Sequence, residues 1–139
     1  MAHEKFPVEI LSPEGEVFSG EVEMISTRTV TGSIGFLANH TPLLAMLDPT
    51  ELRLYESEND VTRFAQGEGY IQVGGNRALM LVEEAHSPDE LDVGELRDKL
   101  QRAESELDSA EEGSEDYRVA ERDKRRWEAF IAVAENGGG

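Results

Sequence analysis

The spacing of the apolar residues changes character near Leu91, and this change limits the chain to a mixed fold. Before it, the run from Val22 to Thr29 fits the two-residue period of a strand, with alternate side chains on opposite faces. After it, apolar residues recur at intervals of four, three, four and three, which is the period of a helix face: Leu96, Leu100, Ala103, Leu107 and Ala110. The pattern predicts β-structure followed by helix.

Residues 1 to about 90 contain short apolar runs separated by turn residues. Pro13-Glu14-Gly15 follows the first run, and Gly74-Gly75-Asn76 supplies residues that tolerate positive φ in a hairpin turn. Strands at this spacing, with Gly and Pro between them, are typical of an antiparallel sandwich or barrel. We therefore assign residues 1–90 to one β domain.

Residues 91–139 predict an antiparallel two-helix hairpin. Asp92 is a suitable N-cap, and Glu95 three residues later completes the pattern of a capping box. After the break at Gly113, Ser114 caps a second helix with an apolar stripe: Tyr117, Ala120, Trp127, Ile131 and Ala134. Two helices have little core of their own, so this hairpin needs the β domain or a partner to lie on. The fold class is α+β.

Charge and composition exclude several functions. The 139 residues carry a formal net charge of −17, which would be repelled by nucleic-acid phosphate and by an anionic membrane surface. There is no cysteine, and no apolar stretch approaches the ~20 residues of a membrane span. We expect a soluble cytoplasmic protein that reaches a membrane only through other proteins.

The run from Gly32 to Ala45 contains no charged residue, although 31% of the chain is charged. A surface of this kind is costly on an acidic protein unless it is buried or covered by a partner. The segment is therefore either core or contact surface.

No constellation of residues predicts catalysis or a metal site. His3, His40 and His86 lack ligand spacing, and His40, close to Pro42, fits a turn residue that bonds to backbone better than a catalytic base. The basic cluster of the second helix has acidic neighbours at i,i+4 and fits a solvated helix face better than a site: Arg122, Lys124, Arg125 and Arg126. We expect a protein that is not an enzyme and has no cofactor.

The run from Gly32 to Ala45, with its Gly-x-x-Gly and Asn-His-Thr-Pro-Leu-Leu, also carries a family resemblance. It is followed in order by Gly67 to Val73, by Val82 to Ala85 and by Leu91-Asp92. Over essentially its whole length the chain resembles the epsilon subunit of bacterial F-type ATP synthases, the counterpart of the mitochondrial delta subunit. The resemblance implies a sandwich of about ten short strands followed by two helices.

The same resemblance implies a non-catalytic rotor subunit of the central stalk that couples proton translocation to ATP synthesis. Its expected partners are the gamma subunit and the membrane c-ring, at the cytoplasmic face of the plasma membrane. It also implies that the glycines and polar residues of the uncharged run form a loop that faces the c-ring, and the residues at or near this contact are Arg28, Thr31, Ser33 and His40. The alternative is a free-standing β-sandwich binding module with a regulatory helical tail.

Two further properties of the family concern the helices, which in many members extend toward the alpha and beta subunits and inhibit ATP hydrolysis. The basic cluster of Arg122, Lys124, Arg125 and Arg126 is the candidate inhibitory contact. Some members bind ATP between the helices; here Asp92, Arg102 and Arg126 match that pattern, whereas Glu95 replaces an arginine. Because Glu95 would repel phosphate, we predict weak or absent ATP binding.

Overall fold

The structure is a computed structural model that describes residues 3–136, so residues 137–139 of the predicted hairpin lie outside it. Strands fill the first part of the chain: β1 (Phe6–Ser12), β2 (Gly15–Val22), β3 (Met24–Thr29), β4 (Gly32–Leu37), β5 (Leu43–Leu47), β6 (Thr50–Ser57), β7 (Asp60–Gln66), β8 (Gly69–Gly74), β9 (Arg77–Val82) and β10 (Ala85–His86). A 3₁₀ turn (Pro88–Glu90) leads into two helices, α1 (Val93–Ser109) and α2 (Glu115–Asn136). The expected α+β order is confirmed.

The ten strands form two layers, ordered β2-β1-β9-β8-β5 and β4-β3-β6-β7-β10. The layers join where Thr29 of β3 pairs with Leu47 of β5. All neighbouring strands pair antiparallel except β1 and β9, which run parallel. The prediction of an antiparallel sandwich was wrong for this one pair. The long path from β1 to β9 makes this possible, because only strands joined by a short hairpin must be antiparallel.

The core lies between the two layers and is built from strand residues alone. Fifteen buried apolar side chains form it, with alternate residues of each strand pointing inward. Ile10, Ile25 and Met80 are among those with no exposed surface. The helices contribute nothing to this cluster, so the sandwich has a core of its own.

The uncharged run from Gly32 to Ala45 forms strands β4 and β5 around a turn at Asn39, whose φ is 62°. The expectation that its glycines and polar residues form a loop was wrong for Ser33 and both glycines, which lie in β4. Phe36 is fully buried, whereas Leu44 is 69% exposed. The run is thus both core and surface, because a strand sends alternate side chains to opposite faces.

The caps of both helices are formed as expected, with one difference. The Asp92 carboxylate accepts a hydrogen bond from the Glu95 amide at 3.1 Å, and Ser114 Oγ accepts one from the Tyr117 amide at 3.2 Å. The Glu95 carboxylate lies 3.6 Å from Lys99 Nζ, one turn further along the helix. Only the Asp92 half of the predicted capping box is therefore present.

The hairpin lies on strands β6 and β7 of the sandwich. A second cluster joins Ala65 of β7 to Leu96 of α1 and to Phe130 and Val133 of α2. Phe130 and Val133 are buried although the predicted stripe omitted them. The reason is that α2 buries two faces, one on α1 and one on the sandwich, so a single stripe describes only part of its buried surface.

Candidate functional site

The polar contact with the most hydrogen bonds between the described helices and the sandwich is made by Arg126 of α2. Its Nε and Nη2 atoms each donate to the Glu68 carboxylate at 2.8 Å, and Nη1 donates to Glu84 Oε2 at 2.8 Å. The Arg126 side chain is only 12% exposed. One guanidinium therefore holds two carboxylates in a fork geometry that arginine suits and lysine does not.

The sandwich presents the two carboxylates side by side because two short connections run next to each other. The Gly67 amide donates to the Glu84 carbonyl at 2.8 Å, and the Glu83 amide donates to the Glu68 carbonyl at 2.9 Å. Gly67 has no side chain, and a Cβ there would lie a tight 3.3 Å from the Glu84 carbonyl oxygen. Glycine thus lets the two connections approach closely, and their backbone bonds fix both partners of the guanidinium.

The electrostatics favour the charged forms of Arg126 and Glu68. Burial alone would raise the pKa of Glu68, but the hydrogen bonds and charge of Arg126 outweigh burial and hold that pKa below its usual 4.5. Burial alone would lower the pKa of Arg126, but the hydrogen bonds that Arg126 donates to Glu68 and the charge of Glu68 outweigh burial, so the pKa of Arg126 is raised. We call the set of Arg126, Glu68 and Glu84 the guanidinium clamp.

The rest of the basic cluster lies around the clamp. Arg125 forms an ion pair with Asp48, which precedes β6, and Arg122 Nε lies 3.7 Å from Glu68. Lys124 has no ion pair within residues 3–136. Three of the four cations therefore bind carboxylates of the chain's own sandwich, and the solvated-face interpretation was wrong for Arg126.

The predicted c-ring contact residues do not all come together. Arg28 pairs with Ser33 across strands β3 and β4, and Thr31 lies in the turn between them, with its Oγ1 2.9 Å from that of Thr29. His40 follows the other end of β4, where its Nδ1 lies 2.7 Å from the Thr41 carbonyl and its ring packs edge-on against Phe36. The structure thus gathers three residues at one end of the sandwich and His40 at the opposite end of β4.

The residues that match the nucleotide pattern do not converge on one cavity. The Asp92 carboxylate caps α1, Arg102 is exposed on α1, and Arg126 is held in the clamp. A cavity of about 150 Å³ beside Asp92 is lined by Glu84, Glu90 and Glu95, with His86 and Lys99 among its other lining residues. Small-molecule sites enclose about 300–1,000 Å³, so this cavity is small, and its lining has more acidic side chains than basic ones.

The sequence interpretation missed the sandwich half of the clamp. Glu68, Glu84 and Asp48 are three of thirty acidic residues, and nothing in their number distinguishes them. One feature of the sequence could have identified Glu68, which lies between Gly67 and Gly69. Because its two neighbours have no side chains, a partner side chain can approach the Glu68 carboxylate closely. Among the described residues, no group of three or more His, Asp or Glu side chains could hold a metal ion.

The fold and this contact define a class: a β-sandwich with its own core and a helical hairpin clamped to one outer face. The model of the ATP synthase Delta/Epsilon chain, beta-sandwich domain, matches residues 5–88. The ATP synthase epsilon chain of Persephonella marina is 38% identical over 130 residues, covering 93% of this chain and 96% of that relative. The epsilon chain of Halalkalibacterium halodurans is 34% identical over 127 residues, covering 91% and 95%. The chain belongs to the ATP synthase epsilon family, and it is a non-catalytic stalk subunit of that complex.

Solved structures share the fold at low identity. A chain in the Euglena gracilis mitochondrial ATP synthase, in its OSCP/F1/c-ring structure, aligns with a TM-score of 0.80 at 20% identity, covering 93% of this chain and 81% of that one. A chain in the central stalk and c-ring of the Tetrahymena thermophila enzyme aligns with a TM-score of 0.61 at 18% identity, covering 96% and 99%. Within the described residues, no helix has the length and apolar character needed to cross a membrane.

Proposed function

We propose that this chain works as the rotor subunit that links the gamma subunit to the c-ring and so couples proton translocation to ATP synthesis. The observation that carries the proposal is the relationship to epsilon chains over 93% of the sequence, sandwich and helices together. In this proposal the protein lies at the cytoplasmic face of the plasma membrane and is held there through the complex.

The c-ring contact in this proposal is the β3–β4 end of the sandwich. Arg28, Thr31 and Ser33 lie there beside Val30, which is 59% exposed although it is apolar. An exposed apolar side chain next to short polar ones suits contact with polar loops of another protein. His40 is better suited to fixing the β4–β5 turn, since its ring and its Nδ1 both have partners within the sandwich.

The regulatory part of the proposal concerns the basic cluster. Inhibition through Arg122, Arg125 and Arg126 would require these residues to exchange Glu68, Glu84 and Asp48 for acidic residues of the alpha and beta subunits. The docked hairpin is then the non-inhibitory state, and the guanidinium clamp opposes inhibition. A ligand or partner can shift this equilibrium only by the difference in its affinity for the two states.

Removal of residues 91–139 tests the inhibitory role. If the hairpin inhibits, ATP hydrolysis by the assembled enzyme will rise on truncation, by at least about twofold. Lys124→Ala is the matched point variant, because Lys124 contributes no ion pair to the docked state among the described residues, and we expect it to raise hydrolysis without weakening docking. Unchanged hydrolysis in the truncated enzyme, with normal assembly, would count against regulation while leaving the coupling role intact.

ATP itself is expected to have little affinity for this chain. The clamp already neutralises Arg126, and the carboxylates that line the adjacent cavity would repel a triphosphate. Isothermal titration of the full chain with Mg-ATP should give a dissociation constant above about 1 mM, corresponding to less than about 4 kcal/mol of binding free energy. A micromolar constant would contradict this prediction.

A further inference from the structure

Gln66, the last residue of β7, places an amide in the interior of the sandwich. Strand alternation puts it on the side of Phe64, which belongs to the core, and not on the side of Ala65, which contacts the helices. Among the described residues it is the one polar residue with no exposed surface. Because a buried amide is unfavourable unless its hydrogen bonds are made, its partners indicate what this residue contributes.

The nitrogen and the oxygen of this amide both have partners. Nε2 donates to the Asp48 carbonyl at 2.9 Å and to the Gly67 carbonyl at 3.0 Å, and Oε1 accepts from the hydroxyl of Thr27 in β3. Main-chain carbonyls only accept hydrogen bonds, so these two fix which end of the amide carries the nitrogen. Gln66 thus joins the connection before β6 to the connection between β7 and β8.

The two carbonyls belong to connections that carry carboxylates of the docking surface. Asp48 binds Arg125 through its side chain, while its main chain binds Gln66. Glu68 directly follows Gly67 in the sequence, and it accepts two of the three hydrogen bonds of the guanidinium clamp. One buried amide thus holds the backbones from which two separate ion-paired carboxylates project.

The main chain of each connection is also held from a second side. The Asp48 amide donates to the Arg28 carbonyl at 3.0 Å, and the Gly67 amide donates to the Glu84 carbonyl at 2.8 Å. Gln66 links these two pairs, because its side chain binds both the Asp48 and the Gly67 carbonyls. The segments of all three carboxylates that bind the basic cluster are therefore joined through this amide.

Docking depends on the spacing of these segments. A guanidinium that donates to one carboxylate through two atoms needs both oxygens in place, so a small shift of the Glu68 segment weakens the contact. Arg125 and Arg126 are neighbours in one helix, so their partners must keep a fixed distance if both ion pairs are to form together. Without Gln66, two carbonyls would lose a donor, and their segments would separate to regain hydrogen bonds with water.

We infer that Gln66 is a positioning residue for the docked hairpin, since it fixes the distance between the segments that bind Arg125 and Arg126. None of its side-chain hydrogen bonds within residues 3–136 reaches a helix, so it acts through the carboxylates and not by direct contact. Docking is seen in the structure itself. Only the regulatory consequence rests on the proposed function, under which Gln66 favours the non-inhibitory state from inside the sandwich.

Hydrogen exchange of the α2 amides in the full chain under native conditions tests this role, because it measures how often the helix opens. Gln66→Met keeps the length of the side chain and removes its hydrogen bonds, and we expect α2 to open at least about tenfold more often. Thr27→Val is the matched control. It removes the bond to Oε1, leaves both carbonyls bound, and should raise opening less than about threefold. Equal increases for the two variants would overturn the inference.

The same substitution in a chain that already lacks the two arginines separates positioning from a general loss of stability. With Arg125→Met and Arg126→Met present, neither ion pair is left for Gln66 to position, so adding Gln66→Met should raise the opening of α2 by less than about threefold. An undiminished tenfold increase would show that Gln66 stabilises only the sandwich. The amides of β8 and β9, in the other layer, report global unfolding in every variant.

A measurement on the side chain itself does not require the Gln66 variant to fold. Coupling between two sites is reciprocal, so opening of the hairpin should release the amide of Gln66. We expect its side-chain NH₂ hydrogens, followed by NMR, to exchange at least about fivefold faster in the Arg126→Met variant than in the wild-type protein. Equal exchange rates in the two proteins would show that Gln66 and the docked hairpin are independent.

ATP hydrolysis by the assembled enzyme distinguishes this inference from the proposed function. If the hairpin inhibits, Gln66→Met should lower hydrolysis, because α2 leaves the sandwich more often. More frequent opening of α2 with unchanged hydrolysis would support the role of Gln66 and contradict inhibition by the hairpin.

Discussion

Substitution of Gly69 by alanine is expected to be the most destabilising single-methyl change in the sandwich. Gly69 begins β8 and pairs with Val82 of β9. A Cβ at this position would lie 2.0 Å from the Leu81 carbonyl oxygen and 2.8 Å from the Val82 Cα, both of which are backbone atoms. No rotamer change can relieve such a clash, so the two strands would have to separate.

The expected loss is at least about 3 kcal/mol in the free energy of unfolding, in the upper part of the range for single substitutions. Urea denaturation followed by circular dichroism measures it. Gly74→Ala is the matched control, because it lies in the same strand and its Cβ would meet only Pro42 at an ordinary 3.7 Å. We expect that control to change stability by less than about 1 kcal/mol, and equal losses for the two variants would contradict the steric explanation.

The fold was largely predictable because its signals are local. Alternation in the strands, the positive φ values of Gly75 and Asn76 in the β8–β9 turn, and the Asp92 and Ser114 caps each depend on a few neighbouring residues. The parallel β1–β9 pair was not predictable in this way, since it depends on which strands meet after the chain has folded. Phe130 was missed for the same reason, because its burial depends on the sandwich and not on the helix period alone.

The basic residues of the site could be predicted from the sequence, but the carboxylates that they bind could not. Four basic residues close together on a helix stand out in a chain with thirteen Lys and Arg residues. Glu68 and Glu84 are 16 residues apart in the sequence and meet only because the backbone bonds of Gly67 and Glu83 join their segments. A charge count can therefore predict a basic contact surface. Predicting that the chain's own carboxylates bind this surface requires the tertiary structure.

Replacement of Arg126 by methionine is expected to release α2 from the sandwich. Methionine keeps most of the apolar volume, but it leaves Glu68 and Glu84 without their common partner in a partly buried site. Removing one member of a buried ion pair costs about 3–5 kcal/mol, and partial exposure of both carboxylates reduces this to about 2–4 kcal/mol here. The single tryptophan, Trp127, packs edge-on against Phe130 at 5.9 Å, so its fluorescence during urea denaturation reports on docking.

Two matched variants separate the clamp from a general effect of charge. Arg118→Met removes an arginine of the same helix whose ion pair, with Glu115, stays within that helix and is exposed, and it should cost less than about 1 kcal/mol. Arg126→Met combined with Glu68→Gln and Glu84→Gln removes all three charges, and it should recover at least half of the loss, since no unpaired charge then remains. A loss equal to that of Arg126→Met alone would mean that the guanidinium acts through packing.

The dependence of docking on pH distinguishes the wild-type protein most clearly from the Arg126→Met variant. The clamp determines whether docking weakens or strengthens as the pH falls. With Arg126 present, the pKa of Glu68 is lower in the folded protein than its usual 4.5, so its contribution to stability is present above about pH 4.5 and is lost as the pH falls further. Without Arg126, burial raises the pKa of Glu68, and only a backbone hydrogen bond and the charge of Arg122 at 3.7 Å oppose it, so protonation relieves a carboxylate that has lost its main partner. Docking of the Arg126→Met variant should therefore strengthen as the pH falls toward 4.5. Docking of the wild-type protein should change little over the same range. Parallel pH profiles for the two proteins would show that the clamp does not hold α2 in place.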